Sequence, residues 1–230
     1  EILEHFDIPR QSLIRILNTL CDRGFLDKSG RRGLYRIGLK FLHLGHGLKD
    51  KFDLRTTAWK FMKALSRQTR KTIELSTLDH DQLILLEQIR GSEEMSLYSR
   101  AGSVIPYFHA VSVGKVYLSL MSTEKRRRVL RKIGLPAVTK HTITDLDALE
   151  KEIHDIQQRG YGFEDQELRE GVRRVAAPIF NADGHHVGCI GLSATIFSFE
   201  LDDVDGLGRQ VLAAARNISE EMGYRPIAIH

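Results

Sequence analysis

Apolar residues recur at helical spacing near the start of the chain. Leu13, Ile16, Leu17 and Leu20 fall at i, i+3, i+4 and i+7, the repeat of an amphipathic helix. Pro9 suits the first turn, where a missing N–H costs nothing, and Gly24 suits the end. The pattern therefore predicts a helix within Pro9 to Phe25. The tail of another helix over Glu1 to Phe6 and a tight turn at Asp7 and Ile8 precede it. At about 100° per residue, the opposite face carries Gln11, Arg15 and Asn18, side chains that can pair with base edges, Arg with guanine and Gln or Asn with adenine. With Arg10 and Ser12 they are the candidate DNA contacts of this helix. Phe25–Leu26, the basic turn-rich stretch Asp27 to Gly33, and Leu34 to Gly38 then read as strand, turn and strand. Such a hairpin directly after a candidate recognition helix is a wing, with Arg31 and Arg32 placed for phosphates. The plan is that of an N-terminal winged helix-turn-helix. Such a head normally begins with one more helix, expected to be missing from this sequence. The competing reading is a surface helix of an ordinary α-domain.

Downstream, Leu39 to Leu54 has apolar residues at 39, 41, 42, 44 and 48, with Gly45 and Gly47 interrupting. It reads as a linker helix that bends or ends near the glycines. Leu39, Phe41, Leu42 and Leu44 are too apolar for an exposed linker and are expected to pack against a partner. Thr56 to Thr69 is a second amphipathic helix with Trp59, Phe61, Met62 and Leu65 on its apolar side. The period then changes to two. Thr72 to Leu78 and Gln82 to Ile89 form a hairpin around Asp79–His80–Asp81, and Met95 to Ser99 is a further short strand. Pro106 to Met121 ends in a helix, and Thr123 to Lys132 is helical without the acidic partner of a capping box. Thr144 to Arg159 is a helix closed by Gly160, and Tyr161 to Glu164 a strand. Val172 to Phe180 and His186 to Ala194 are strands around the turn Asn181 to Gly184, and Asp202 to Met222 is the last helix. Hairpins mixed with helices make the body α+β with a mostly antiparallel sheet. The expected division is 1–38 DNA-binding head, 39–54 linker helix and 55–230 body.

Composition changes the picture little, and charge changes it more. The 230 residues are 42% hydrophobic and 28% charged, as in ordinary globular proteins. No apolar run is long enough to span a membrane, so no membrane partner is expected. Eight Lys and Arg stand between Arg10 and Lys40 against Asp22 and Asp27, a surplus larger than the +4 of the whole chain. A basic head on a near-neutral body is the charge layout of a DNA binder, and the pI near 9.1 agrees. Cys21 and Cys189 fall in different predicted domains and read as free thiols in a reducing cytoplasm.

At this point the residues match a known family. The chain resembles the IclR family of bacterial transcriptional regulators over nearly its whole length. The head matches at Pro9, Arg15, Leu17, Thr19–Leu20, Gly24–Phe25 and Tyr35 to Gly38. The body matches at His109–Ala110, Gly114–Lys115, Arg159 to Tyr161, Gly171 to Arg173, Ala176 to Phe180 and Gly188 to Ser193. Gln11 replaces a small hydroxyl residue common there, and Tyr107–Phe108 carries one residue more than many members. The resemblance implies a winged head, a linker helix and a GAF-like effector domain. It implies homodimers, often paired into homotetramers, and control of catabolic operons by small organic acids. By position it implies an effector pocket lined by Leu97, Ser112, Val113, Glu164, Arg174, Gly191 and Ser193.

Other chemistry is weaker. Gly114–Lys115 lacks the glycine and hydroxyl residue of a phosphate-binding loop, since His109 and Val116 stand in their places. Ser112, His109 and Glu164 could be drawn as a triad, but no strand–nucleophile–helix elbow surrounds them. His43 and His46 lack the further ligands a metal needs, and His185–His186 at a hairpin tip is expected to be solvated. No catalytic residue, metal or cofactor is therefore expected. Gly191 and Ser193 share one strand face, and Arg173 and Arg174 point to opposite faces. A guanidinium at 174 could grip a carboxylate with two parallel bonds, while Glu164 would pair with Arg174 or accept a ligand hydroxyl. Tyr107, Phe108 and Leu97 would add apolar surface. The first reading is a ligand-controlled regulator of double-stranded DNA at a pseudo-palindromic operator. The second is a small-molecule enzyme or sensor whose N-terminal helices serve only as a dimerisation arm.

Overall fold

The computed structural model describes residues 8–29, 34–41, 49–93 and 99–225, with backbone alone for 29 and 49–53. The chain divides into two units, Glu1–Phe52 and Asp53–His230. The first contains helix α1 (Arg10–Asp22) and an antiparallel pair, β1 (Leu26–Ser29) with β2 (Leu34–Ile37). Pro9 occupies the N-cap position of α1 and its carbonyl accepts from Leu13 N at 3.1 Å. The helix closes where Gly24 turns to φ +74° and Phe25 N donates to Leu20 O at 2.9 Å. The chain returns past this point so closely that a Cβ on Gly38 would stand 2.2 Å from the Gly24 carbonyl oxygen. Phe25 meets Phe41 edge to face at 5.5 Å.

The apolar stripe of α1 is narrower than its spacing predicts. Leu13 is buried and Leu17 and Leu20 are half-buried, but Ile16 is 47% exposed. At 100° per residue Ile16 sits off the Leu13–Leu17–Leu20 line, and the small β1–β2 sheet does not reach it. The predicted helix over Glu1 to Phe6, wing residues Arg31 and Arg32, and residues 42–48 with His43 and His46 lie outside the described residues.

The second unit is built on a six-stranded sheet. Its strands are β3 (Thr72–Asp79), β4 (Gln82–Ile89), β5 (Val104–Ile105), β6 (Gly162–Asp165), β7 (Val172–Phe180) and β8 (His186–Thr195). They lie in the order β5-β4-β3-β8-β7-β6, and every ladder described is antiparallel. His80 and Asp81 both take positive φ between β3 and β4, the geometry of a two-residue hairpin. The period-two patterning sorts the strands into two faces. Ile73, Leu75, Val175, Ala177, Ile179, Ile190, Leu192 and Ala194 pack with helices α2 (Lys49–Thr69) and α6 (Val204–Glu221). Ala176 and Cys189 point the other way, into a cluster with α3 (Ser112–Leu120), α4 (Thr123–Ile133) and α5 (Leu146–Arg159). Each Ile, Leu or Val side chain so buried contributes about 1.5–3 kcal/mol. Among the described residues no helix is long and apolar enough to cross a membrane.

Several expectations are corrected. On α2 the buried line is Leu54, Ala58, Met62 and Leu65, and Trp59 is 39% exposed with Lys63 over its ring. The i, i+4 line won over the bulkiest residue. Helix α4 is capped by Ser122, whose hydroxyl accepts from Lys125 N, one residue before the predicted start. His186 is not solvated. Its ring lies 4.2 Å from that of Tyr117 and 5.7 Å from that of Phe180, with Cys189 Sγ 3.4 Å from Nε2, because β8 begins at His186 and turns it inward. His185 is exposed. Strand β5 was missed, and the predicted strand Met95 to Ser99 lies outside the described residues except Ser99, which is not in a strand.

Candidate functional site

Three neighbouring strands, β8, β7 and the edge strand β6, carry the group with the most chemistry. Arg174 on β7 lies opposite Glu164 on β6 on one side and Ser193 on β8 on the other. Alternation along β7 sends Arg173 to the opposite face, where it donates to Asp165 Oδ1 and Phe199 O, both at 2.7 Å. Arg174 Nη1 donates to Glu164 Oε2 at 2.7 Å, and Glu164 is fully buried. The other Glu164 oxygen accepts from Leu168 N at 3.1 Å. A buried carboxylate held this way supports the guanidinium as a fixed wall rather than a mobile surface charge. The Ser193 hydroxyl, 1% exposed, has no hydrogen-bond partner among the described residues.

A cavity of about 120 Å³ opens beside this pair. Glu74, Ser99, Val104, Val113, Leu168 and Arg174 are among the residues that line it. Of the residues expected in a pocket, Val113 and Arg174 stand in its wall. Glu164 braces Arg174 from behind, and Ser112, Gly191 and Ser193 are buried nearby without lining it. Leu97 lies outside the described residues. Tyr107 and Phe108, expected to add apolar surface here, line a neighbouring cleft of about 210 Å³ with His109 and Ile133. Sequence reasoning missed Glu74. Its signal was present, because Thr72, Glu74 and Ser76 make the polar alternation of β3. What was not readable is the pairing of β3 with β8, which sets Glu74 opposite Gly191.

The site rests on a buried ionic clamp. Lys115 on α3 is 1% exposed and donates to Glu167 Oε1 and to Phe163 O. Thr139 and Thr142 hydroxyls donate to the carbonyls of Gln166 and Glu167 at 2.7 Å. Together they fix the turn after β6 that carries Leu168. Burial raises the Glu167 carboxyl above its ordinary value, opposed by the Lys115 ammonium, while Glu164 and Glu152 add to the rise. Gly114 is required for this arrangement: a Cβ there would stand 2.1 Å from Phe108 O. His109 Nε2 bonds to Pro136 O at 3.0 Å. Burial lowers its pKa against that bond, and Lys115 lowers it further. Ser112, His109 and Glu164 share no hydrogen bond among the described residues, so they form no triad. No group of three or more metal-ligating side chains occurs among the described residues.

In the first unit, Gln11, Arg15 and Asn18 are exposed along one side of α1, Arg10 is exposed in its first turn, and Ser12 is half-buried. Asn18 Oδ1 accepts from Lys28 Nζ at 3.2 Å. The helix thus keeps its polar face uncovered and ties it to β1.

Residues 46–220 match the family model described as bacterial transcriptional regulator IclR C-terminal. The HTH-type transcriptional regulator KdgR of Dickeya chrysanthemi is 30% identical over 224 residues, covering 97% of this chain and 73% of that protein. Among solved structures, the C-terminal domain of KdgR from E. coli is 29% identical over 75% of this chain and 99% of that one, with a TM-score of 0.65. An IclR homolog from Microbacterium hydrocarbonoxydans in complex with 4-hydroxybenzoate superposes with a TM-score of 0.81 over 94% of this chain and 86% of that one. Its identity is 24%, so that likeness is one of fold.

Proposed function

Because the chain belongs to the IclR family of bacterial transcriptional regulators, we propose that it is a ligand-responsive DNA-binding regulator of a catabolic operon, with no enzymatic activity of its own. The head is a winged helix-turn-helix, and α1 is its recognition helix. Arg10, Gln11, Ser12, Arg15 and Asn18 face the major groove, and Arg31 and Arg32 of the wing contact phosphates. The observation that carries this reading is the exposed polar face of α1, with Gln11, Arg15 and Asn18 opposite the apolar stripe and Arg10 exposed in its first turn. A half-site of a few base pairs cannot select one locus, so two heads bind a pseudo-palindrome together. Leu39, 71% exposed, and Phe41, 52% exposed, supply apolar surface for a homodimer or homotetramer contact. The protein works in the cytoplasm, where its DNA is.

The second unit is the GAF-like effector domain. Its ligand is a small organic acid whose carboxylate docks on Arg174. Val113 and Leu97 contribute apolar contact, Gly191 leaves room, and Glu164 holds Arg174 in place. Binding favours one of two arrangements of the paired heads through the 39–54 linker.

Selection of random duplexes on the full-length regulator tests the reading. It should recover a two-fold symmetric motif, and Arg15→Ala should lose about 1–3 kcal/mol at one base pair of it. Recovery of no preferred sequence would remove the regulator reading and favour a sensor whose N-terminal helices serve as a dimerisation arm.

A further inference from the structure

We infer that Glu74 selects which acid the cavity accepts, and that the ligand is a small carboxylate carrying a hydrogen-bond donor, hydroxyl or ammonium, away from its acid group. This rests on the reading of Arg174 as the carboxylate's partner. Strands β3, β8 and β7 are neighbours, with Glu74 opposite Gly191 and Arg174 opposite Ser193. Gly191 raises no side chain between them. Both charged residues line the same cavity. The two outer strands stand roughly 10 Å apart, less the reach of two long side chains, which suits a short molecule.

Charge decides the class. Arg174 already answers the buried Glu164, so Glu74 leaves the wall with one carboxylate in excess. An acid with only a hydrocarbon tail would set that tail against Glu74 and strip water from it without replacing the hydrogen bonds, which is costly. A dicarboxylate would add like-charge repulsion. A hydroxyl or ammonium at that place donates to Glu74 and removes both penalties. Glu74 is held for this task. Its Oε1 accepts from Gln88 Nε2 at 2.9 Å, and Gln88 Oε1 accepts from Ser99 N at 3.0 Å. The amide is used at both ends, which keeps the carboxylate on its own side of the cavity. Among the described residues Glu74 and Arg174 form no ion pair. Ser99 also lines the cavity, so two of its lining residues, Ser99 and the selecting carboxylate, belong to one hydrogen-bonded chain through Gln88.

Calorimetry of the full chain against two matched sets tests the inference: propionate, 3-hydroxypropionate and 3-aminopropionate; and butyrate, 4-hydroxybutyrate, 4-aminobutyrate and succinate. The donor-bearing acids should bind about tenfold or more tighter than their plain counterparts, with succinate weakest, and the hydroxyl and ammonium arms show which donor is preferred. Glu74→Gln keeps an acceptor oxygen and loses the charge, so the ammonium preference should fall and succinate should gain. Glu74→Leu should bring each plain acid level with its donor-bearing partner. Plain acids binding the parent as tightly as donor-bearing ones, or an unchanged ranking in both variants, overturns the inference while leaving Arg174 as the acid's partner. If no acid of either set binds the parent, the carboxylate reading of the cavity and this inference fall together.

Discussion

Arg174 and Glu164 are each other's condition for being buried. Removing the guanidinium leaves a carboxylate with no exposure and no counter-charge, and breaking such a pair costs about 3–5 kcal/mol. Arg174→Ala should therefore lower urea stability by that order and abolish binding of the cognate acid. Arg174→Lys keeps the charge without the planar fork, so it should recover most of the stability and little of the binding. A variant that unfolds like the parent would mean that the pair is not coupled. His186 makes a different residue-scale prediction. Burial pushes its imidazole down to about 4 from 6.5, against a smaller opposing contribution from the Gly188 backbone. Between those values the unfolded chain holds the extra proton, so stability is full above pH 6.5 and falls as pH drops towards 4. The loss is about 3 kcal/mol. Urea unfolding at pH 7 and pH 4.5 should show it, and His186→Phe should show a shallower drop. Equal drops in both proteins would clear His186 of that role.

At the scale of elements, helices α1, α5 and α6 and the two long hairpins were readable because each carries a clean period and a turn residue at its end. Gly24 and Gly160 stop α1 and α5 at positive φ, and Asn181 to Gly184 turns β7 into β8. What was not readable depends on neighbours distant in sequence. Two residues, Val104 and Ile105, become β5 only because Leu83 and Ile84 offer an edge. His186 looked solvated because its neighbour in the pattern is a turn, and Tyr117 comes to it from helix α3, distant in sequence. Of the candidate site, the polar face of β8 and the outward split of Arg173 and Arg174 were legible. Glu74 was not, since its partner strand was unknown. The close approach at Gly114 gives the element-scale test. Gly114→Ala puts a methyl against a backbone carbonyl that cannot move aside. It should cost about 3 kcal/mol by overpacking and loosen α3, read as faster hydrogen exchange at Lys115 and Val116. Wild-type exchange rates there would show that the close approach is not needed.

For the whole molecule, the basic head and the near-neutral body predict how binding answers salt. Deleting one cation that sits on a phosphate should reduce the salt slope of DNA affinity by about 1, so Arg31→Ala should weaken all sequences alike and flatten that slope. Light scattering of the full-length regulator at micromolar concentration should give a dimer or larger. A monomer would leave the exposed Leu39 and Phe41 without a purpose and would remove the two-headed mode of binding.

The sheet order also bears on how the protein is made. Among the described strands, β8 is the sole bridge between the β3–β4 hairpin and the β7–β6 pair. It is also the last of them to leave the ribosome. Until it emerges, Glu74 and Arg174 belong to separate pieces, each exposing an unpaired edge. A nascent chain can thus carry a finished head while its sensing half is still in two fragments. Closing so distant a pairing is slow, and a protease or a chaperone that reads open strand edges meets the regulator in that interval, before any metabolite can.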